Sequence, residues 1–215
     1  MWSPAAARRR PASGRPAALR LGFTLAPGMR VGLYGGSFNP AHEGHLHVAR
    51  TARARLGLHR VIWLVSPQNP LKPDYGGGPG VASRSAQASR LARGPAMLVS
   101  DAERRLGSRY TVDTVRALKA RFPAVRFVWI MGADALADFH AWRGWSRILA
   151  EVPVAVVARP GHGLRALASP AARRFAFARL DERAARRLAT AAPPAWVWLT
   201  GPLNAASSTA LRECP

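Results

Sequence analysis

Residues 30–45 have the sequence RVGLYGGSFNPAHEGH, in which a short apolar run is followed by a glycine pair and then by two histidines. The run at 30–34 is typical of a strand, and the two glycines allow the backbone to turn sharply and to approach a ligand closely. Beyond the first histidine, apolar residues recur at helical spacing over 45–56. The stretch therefore predicts a strand, a tight turn and a helix in succession.

The rest of the chain continues this alternation. The run RVIWLV at 60–65 is apolar almost throughout, as in a strand that is buried on both faces. We predict further strands at 96–100, 125–131, 152–158 and 196–199, and helices at 81–93, 111–121, 134–149 (with a break near Gly144), 181–190 and from Ser208. The order predicts a single α/β domain with a Rossmann-like, doubly wound parallel sheet. Such sheets bind ligands beyond the carboxyl ends of their strands, at the topological switch point.

The charge balance of the 215-residue chain is strongly positive. It has 32 Lys and Arg against 11 Asp and Glu, a formal net charge of +21. A nucleic-acid-binding protein is the alternative that this charge suggests. However, only Lys72 and Lys119 are lysines, the arginines are scattered through the predicted helices, and no recognised binding module accompanies them. We attribute the arginine excess to a general compositional bias and expect no nucleic-acid partner.

The composition also bears on other classes of protein. A hydrophobic fraction of 48% indicates a packed core and excludes a chain that is disordered over its whole length. The single cysteine, Cys214, excludes an intrachain disulfide framework and a cysteine-rich zinc site. The apolar runs are far shorter than the ~18 residues of a membrane helix, so no membrane partner is expected. We therefore expect a cytoplasmic protein. The sequence is compatible with a monomer and with a homo-oligomer.

Residues 1–28 differ from the rest in composition, because they are rich in Arg, Pro and Ala and contain no acidic residue. Prolines at 4, 11, 16 and 27 would interrupt the amphipathic helix of an organelle transit peptide. A second methionine, Met29, directly precedes the first predicted strand. We expect a disordered tail over 1–28, which an over-extended start would also explain, and a folded domain over 29–215.

The two histidines of the opening stretch suggest an anion site. His42 and His45 are three residues apart and so share one face of a helix, at an N-terminus whose dipole and N–H groups favour phosphate. Zinc is disfavoured, because the metalloprotease pattern needs histidines four residues apart and no third ligand is near. Neither the Walker A loop nor the dinucleotide-binding pattern G-x-G-x-x-G is present. On this stretch alone, a glycine-rich turn with two surface histidines remains an alternative.

Several motifs resemble those of one enzyme family. GGSFNPAHEGH at 35–45 is similar to the signature of the HxGH nucleotidyltransferases. Within that superfamily, four further motifs resemble the nicotinate-nucleotide adenylyltransferases of NAD synthesis: SPQNPLK at 66–72, SRYTVDT at 108–114, GAD at 132–134 with Trp142 and Trp145 after it, and SSTALR at 207–212. The likeness spans roughly residues 30–213. It departs from the family at Ser37, where Thr is common, and at Asn39, where Asp is common, and the chain ends three residues after Arg212.

The resemblance implies an enzyme that transfers the adenylyl group of ATP to nicotinate mononucleotide with the assistance of Mg²⁺. It implies catalytic roles at the ATP phosphates for His42, His45 and Arg212. It implies ATP binding by Gly35, Gly36, Ser37, Phe38, Asp134, Ser208 and Thr209. It implies mononucleotide binding by Asn39, Lys72, Thr111 and Trp142, with the Trp142 indole stacked on the nicotinate ring. No protein metal ligand is implied.

Simpler interpretations remain open for several of these residues. Asp134 and the SSTALR motif could each be an ordinary helix N-cap, and Lys72 could be a solvated charge. The helical spacing of Phe139, Trp142 and Trp145 favours core packing on its own. An adenylyltransferase for nicotinamide mononucleotide or phosphopantetheine is the alternative within the superfamily, because a ring acid and a ring amide differ by one group.

Overall fold

The computed structural model of the protein describes residues 21–67, 79–202, 204, 206 and 208. Its centre is a seven-stranded sheet in which every strand pairs in parallel with its neighbours, in the order β3-β2-β1-β4-β5-β7-β6. The strands are β1 (Arg30–Gly36), β2 (Arg60–Val65), β3 (Met97–Ser100), β4 (Arg126–Gly132), β5 (Val154–Val157), β6 (Arg179–Leu180) and β7 (Trp196–Leu199). The predicted doubly wound parallel sheet is confirmed.

Helices connect the strands and cover both faces of the sheet. They are α1 (Glu43–Leu56), α2 (Val81–Leu91), α3 (Ala102–Leu106), α4 (Thr111–Arg121), α5 (Ala133–Asp138), α6 (Trp145–Glu151), α7 (Gly163–Leu167) and α8 (Pro170–Arg174), with 3₁₀ helices at Phe139–Ala141, Ala176–Ala178 and Glu182–Thr190. No helix within the described residues is long and apolar enough to span a membrane.

Two of the predicted helices differ from those of the structure. The segment predicted at 134–149 has the expected break at Gly144, whose left-handed φ of 67° directly precedes α6, but the part before the break consists of α5 and a 3₁₀ turn rather than one helix. The segment predicted at 181–190 is a 3₁₀ helix rather than an α-helix. The short helices α3, α7 and α8 were not predicted, because segments of five residues carry little periodic signal.

Side chains of the central strands alternate between two hydrophobic clusters. Ile62 and Trp129 belong to one cluster, whereas their chain neighbours Trp63 and Ile130 belong to the other. All four are almost fully buried. Apolar residues at consecutive positions are therefore required, which explains why runs such as RVIWLV contain no polar face.

The folded domain begins earlier than the sequence predicts. Leu21 is only 3% exposed and lies in the core, and its carbonyl accepts a 2.7 Å hydrogen bond from Ser100 Oγ. Phe23 and Leu25 pack against the same cluster. The boundary predicted at residue 28 is therefore wrong by at least eight residues, because the alternating apolar residues were outweighed by the surrounding prolines and arginines. Residues 1–20 of the predicted tail lie outside the described residues.

Candidate active site

The topological switch point of the sheet lies between β1 and β4. The connection after β1 leads to β2 on one side, and the connection after β4 leads to β5 on the other. Gly35, near the end of β1, is required by packing, because a Cβ there would lie 2.5 Å from the Trp129 ring. A Cβ on Gly132, at the end of β4, would collide with the Asp134 carboxylate. The absence of a side chain at Gly35 and Gly132 thus leaves room for the Trp129 ring and the Asp134 carboxylate beside the two strand ends.

The two histidines are arranged as a reciprocal cap at the start of α1. His42 is the N-cap residue, and its Nδ1 accepts a 3.1 Å hydrogen bond from the Gly44 N–H. The His42 N–H in turn donates to Nδ1 of His45 at 3.2 Å, and the ring centroids are 3.7 Å apart. A neutral imidazole whose Nδ1 accepts must carry its proton on Nε2. Both rings therefore have an Nε2–H donor at a helix N-terminus, where an anion is favoured.

His42 is neutral at physiological pH. Its side chain is buried, and its pKa is lowered from 6.5 to about 4. Burial is the largest cause and the Arg159 guanidinium acts in the same direction, whereas the Asp134 carboxylate partly opposes the shift. The ring can therefore donate a hydrogen bond to phosphate but does not contribute a positive charge.

An aromatic cluster of Tyr34, Phe38 and Trp63 supports the histidine pair. The Phe38 ring is almost fully buried and lies 5.0 Å from the His45 ring and 5.0 Å from Trp63, centroid to centroid. Phe38 also has a φ of 46°, a left-handed conformation that is strained for any residue other than glycine. Its side chain is directed into the core, so only its backbone can contact a ligand.

Asp134 and Arg159 form an ion pair on the other side of the switch point. Asp134 lies in the first turn of α5, directly after β4, and its Oδ2 accepts from Arg159 Nη1 at 3.3 Å. Arg159 follows β5 and also donates through Nη2 to the Ala206 carbonyl. The Asp134 side chain is 43% exposed, and no hydrogen bond from another described residue reaches its second oxygen, Oδ1.

The segment near the C-terminus crosses the N-terminus of α1. A Cβ on Gly44 would lie 2.6 Å from the Ala206 carbonyl oxygen, so glycine is the residue that allows this approach. Ser208 Oγ donates to the Pro40 carbonyl at 3.0 Å. The structure therefore brings Ser208 to the turn that carries the histidines.

Thr111 and Trp142 lie on neighbouring segments. Thr111 is the first residue of α4. The Arg143 guanidinium stacks 4.4 Å above the Tyr110 ring, and Gly144 lies close to Val112, which places the segment after Trp142 against the start of α4. Trp142 is half-buried, with edge-to-face contacts to Phe139 at 5.3 Å and Trp129 at 6.4 Å. The Trp142 ring therefore packs against core aromatic rings and is also partly exposed.

The remaining predicted residues are distributed as follows. Ser37 and Asn39 are half-buried in the turn between β1 and α1. Lys72, Thr209 and Arg212 lie outside the described residues. Among the described residues, no group of three or more His, Cys, Asp or Glu side chains could hold a metal ion.

Sequence reasoning assigned no role to Arg84, Arg159 or Glu103. Arg159 directly follows a predicted strand, so the expectation that polar residues at strand ends line the site, which identified Asp134, applies to it equally. Arg84 lies within α2 and donates to three backbone carbonyls, for which no sequence signal exists. Glu103 is buried, which raises the pKa of its carboxyl, and it accepts a 2.7 Å hydrogen bond from Ser66 Oγ.

Known proteins are similar to this chain in sequence. The cytidylyltransferase-like family model matches residues 33–214. A Caulobacter sp. (strain K31) protein named "probable nicotinate-nucleotide adenylyltransferase" is 67% identical over 184 residues, which cover 86% of this chain and 97% of the relative. A Methylorubrum extorquens protein of the same name is 57% identical, with coverage of 86% of this chain and 99% of the relative.

Solved structures of lower sequence identity have the same fold. The nicotinic acid mononucleotide adenylyltransferase of Plasmodium falciparum, complexed with APC, superposes with a TM-score of 0.62 at 15% identity, covering 86% of this chain and 83% of that one. At this identity, the likeness bears on the fold alone.

Proposed function

The chain belongs to the cytidylyltransferase-like family, and from this membership we propose that it transfers the adenylyl group of ATP to nicotinate mononucleotide. The products are deamido-NAD and pyrophosphate. The proposal is carried by the pair of histidine Nε2–H donors at the switch point, in a chain that is 67% identical to a relative named for this activity over 97% of that relative's length.

The reaction is a direct displacement at phosphorus. A phosphate oxygen of the mononucleotide forms a bond to the α-phosphorus of ATP, and the bond from that phosphorus to the bridging oxygen of the β-phosphate breaks. Pyrophosphate leaves with the electron pair. No enzyme nucleophile is needed, so the protein contributes positioning and charge stabilisation.

The histidines act on the ATP phosphates in this proposal. His45 donates to the α-phosphate, where negative charge builds in the transition state, and His42 donates beside it. Both rings are held by backbone hydrogen bonds before substrate arrives, so little reorganisation is required. Ser37, Ser208 and the backbone of Gly36 and Phe38 complete the ATP phosphate site, and we extend it to Thr209 and Arg212 on the SSTALR motif.

The nucleosides are bound on either side of the phosphates. We assign the Asp134 carboxylate to the adenosine ribose, with Arg159 fixing its orientation. Trp142 serves as the platform for the nicotinate ring, Thr111 at the start of α4 binds the ring carboxylate, and we add Asn39 and Lys72 to the mononucleotide site.

The residues fit a divalent cation carried by the substrate. Asp134 is a carboxylate near the site, but its Oδ2 is bound to Arg159 and the described residues offer no ligand cluster. We propose that Mg²⁺ would be held mainly by the ATP phosphates and would supply neutralisation of the charge on the leaving pyrophosphate. We further propose a cytoplasmic enzyme of small-molecule substrates, in keeping with the single cysteine.

The proposal is tested by supplying ATP, Mg²⁺ and either nicotinate or nicotinamide mononucleotide, and by measuring pyrophosphate release. We expect kcat/KM for the acid to exceed that for the amide at least ~10-fold, because charge-assisted hydrogen bonds reward a carboxylate. Equal use of both substrates would overturn the acid assignment. Release with neither would overturn adenylyl transfer to a pyridine mononucleotide.

A further inference from the structure

Arg84 is a buried arginine that joins three segments of the chain. It is 6% exposed and lies within α2. Its Nη1 donates to the Ser37 carbonyl at 2.5 Å, its Nη2 to the Pro67 carbonyl at 2.9 Å and its Nε to the Pro79 carbonyl at 3.1 Å. These carbonyls belong to the turn after β1, the segment after β2 and the segment before α2. One planar guanidinium therefore fixes their relative positions.

Among the described residues, carbonyl dipoles rather than a carboxylate balance the charge of Arg84. None of the ion pairs within the described residues involves it. Three carbonyl oxygens solvate the guanidinium but leave its unit charge in place. In a buried environment that charge is screened less than at the surface, so it favours anions bound nearby.

The turn that Arg84 holds is under backbone strain. Phe38, the residue after Ser37, has its left-handed φ of 46°, and such a conformation persists only where the surroundings enforce it. The hydrogen bond to the Ser37 carbonyl acts on the peptide unit that immediately precedes Phe38. Arg84 is thus placed to hold the turn that leads into the His42 and His45 cap.

We propose that Arg84 is a positioning residue for adenylyl transfer, which holds the Ser37 turn against the ATP phosphates and supplies behind it a positive charge that no carboxylate of the described residues pairs with. This inference rests on the proposed function. It differs from a purely structural role because Arg84 acts on ATP through Ser37, without contacting the nucleotide itself.

The test compares Arg84→Lys, which keeps the charge but loses the fork, with Arg84→Gln, which loses both. Arg90 is on the same helix but exposed, so Arg90→Lys and Arg90→Gln are matched controls. Thermal midpoints, kcat, and KM for ATP and for the mononucleotide are measured on the full chain, well below each midpoint. We expect kcat/KM for ATP to fall ~10-fold in Arg84→Lys and ~10²-fold in Arg84→Gln, as for a misplaced catalytic group. The Arg90 variants should remain within twofold of the parental enzyme.

A double-mutant cycle with Ser37→Ala isolates the route through the turn. We expect Arg84→Lys to have a smaller effect in the Ser37→Ala background than in the parental one, because the hydroxyl that Arg84 positions is already absent. If Arg84→Gln yields little folded protein, Arg84→Lys and this cycle decide. A folded Arg84→Lys enzyme with kcat/KM for ATP within twofold of the parental value would overturn the inference, as would full additivity. An inactive parental enzyme would instead refute the proposed function.

Discussion

Replacement of His42 by Asn should alter how the stability of the protein depends on pH. Asn can serve as an N-cap and accept the Gly44 N–H, so the variant should fold with the start of α1 intact. It removes the one group in the described site whose pKa is lowered to about 4. Because the other titratable groups are shared, the difference in free energy of unfolding between the two proteins isolates His42.

The sign and size of the effect follow from the two pKa values. Above pH 6.5 the ring is neutral in both the folded and the unfolded states, and no stability is lost. As the pH falls from 6.5 towards 4, the unfolded chain takes up a proton that the folded chain refuses. The parental protein should lose about 2 kcal/mol by about pH 5 and about 3 kcal/mol by about pH 4, which the Asn variant does not lose.

Urea denaturation of both proteins between about pH 4 and pH 8 measures this difference. The parental minus variant free energy should be flat above about pH 7 and should decline below it. A difference that stays constant within about 0.5 kcal/mol over the whole range would refute a buried, neutral His42.

Three further substitutions test other parts of the account. His45→Ala should lower kcat by ~10²–10⁴-fold without unfolding the protein, because it removes a preorganised hydrogen-bond donor. His140 is exposed, so the control variant His140→Ala should leave kcat unchanged. A folded His45→Ala protein with near-parental kcat would count against the role of His45. Trp142→Ala should raise KM for the mononucleotide by about tenfold and leave KM for ATP nearly unchanged, and an equal rise in both would exclude a ring platform. Leu21→Ala should reduce the free energy of unfolding by about 2 kcal/mol, because the side chain is buried. Leu164 is 90% exposed, so Leu164→Ala should change the free energy of unfolding little. Equal effects of the two substitutions in urea titrations would show that Leu21 does not pack in the core.

The fold was predictable because the hydrophobic pattern is strong where strands are buried on both faces. The apolar run at 60–65 coincides with β2, and the periodic segment at 111–121 coincides with α4. The pattern failed at Leu21, where local composition obscured an alternating apolar segment. It also failed to predict the 3₁₀ geometry of 182–190, because spacing distinguishes poorly between two helices of similar period.

The candidate site was predictable only where its residues come soon after the end of a predicted strand. His42, His45 and Asp134 have such positions in the sequence, and the structure places them around one switch point. Arg84 could not be found in this way, because its three acceptors are backbone carbonyls, two of which lie 17 and 47 residues away in sequence. Phe38 was assigned to ATP from its place in the motif, whereas burial of its ring leaves only its backbone for that role.

The fate of the α-phosphate of ATP tests the central claim most directly. Enzyme, Mg²⁺ and nicotinate mononucleotide are incubated with ATP labelled at the α-phosphate and, separately, at the γ-phosphate, and the products are separated. Direct transfer predicts that the α-label appears in deamido-NAD and the γ-label in pyrophosphate, with no label on the protein. An α-label that remains with a cleaved nucleotide, or that becomes covalently attached to the enzyme, would contradict adenylyl transfer by direct displacement.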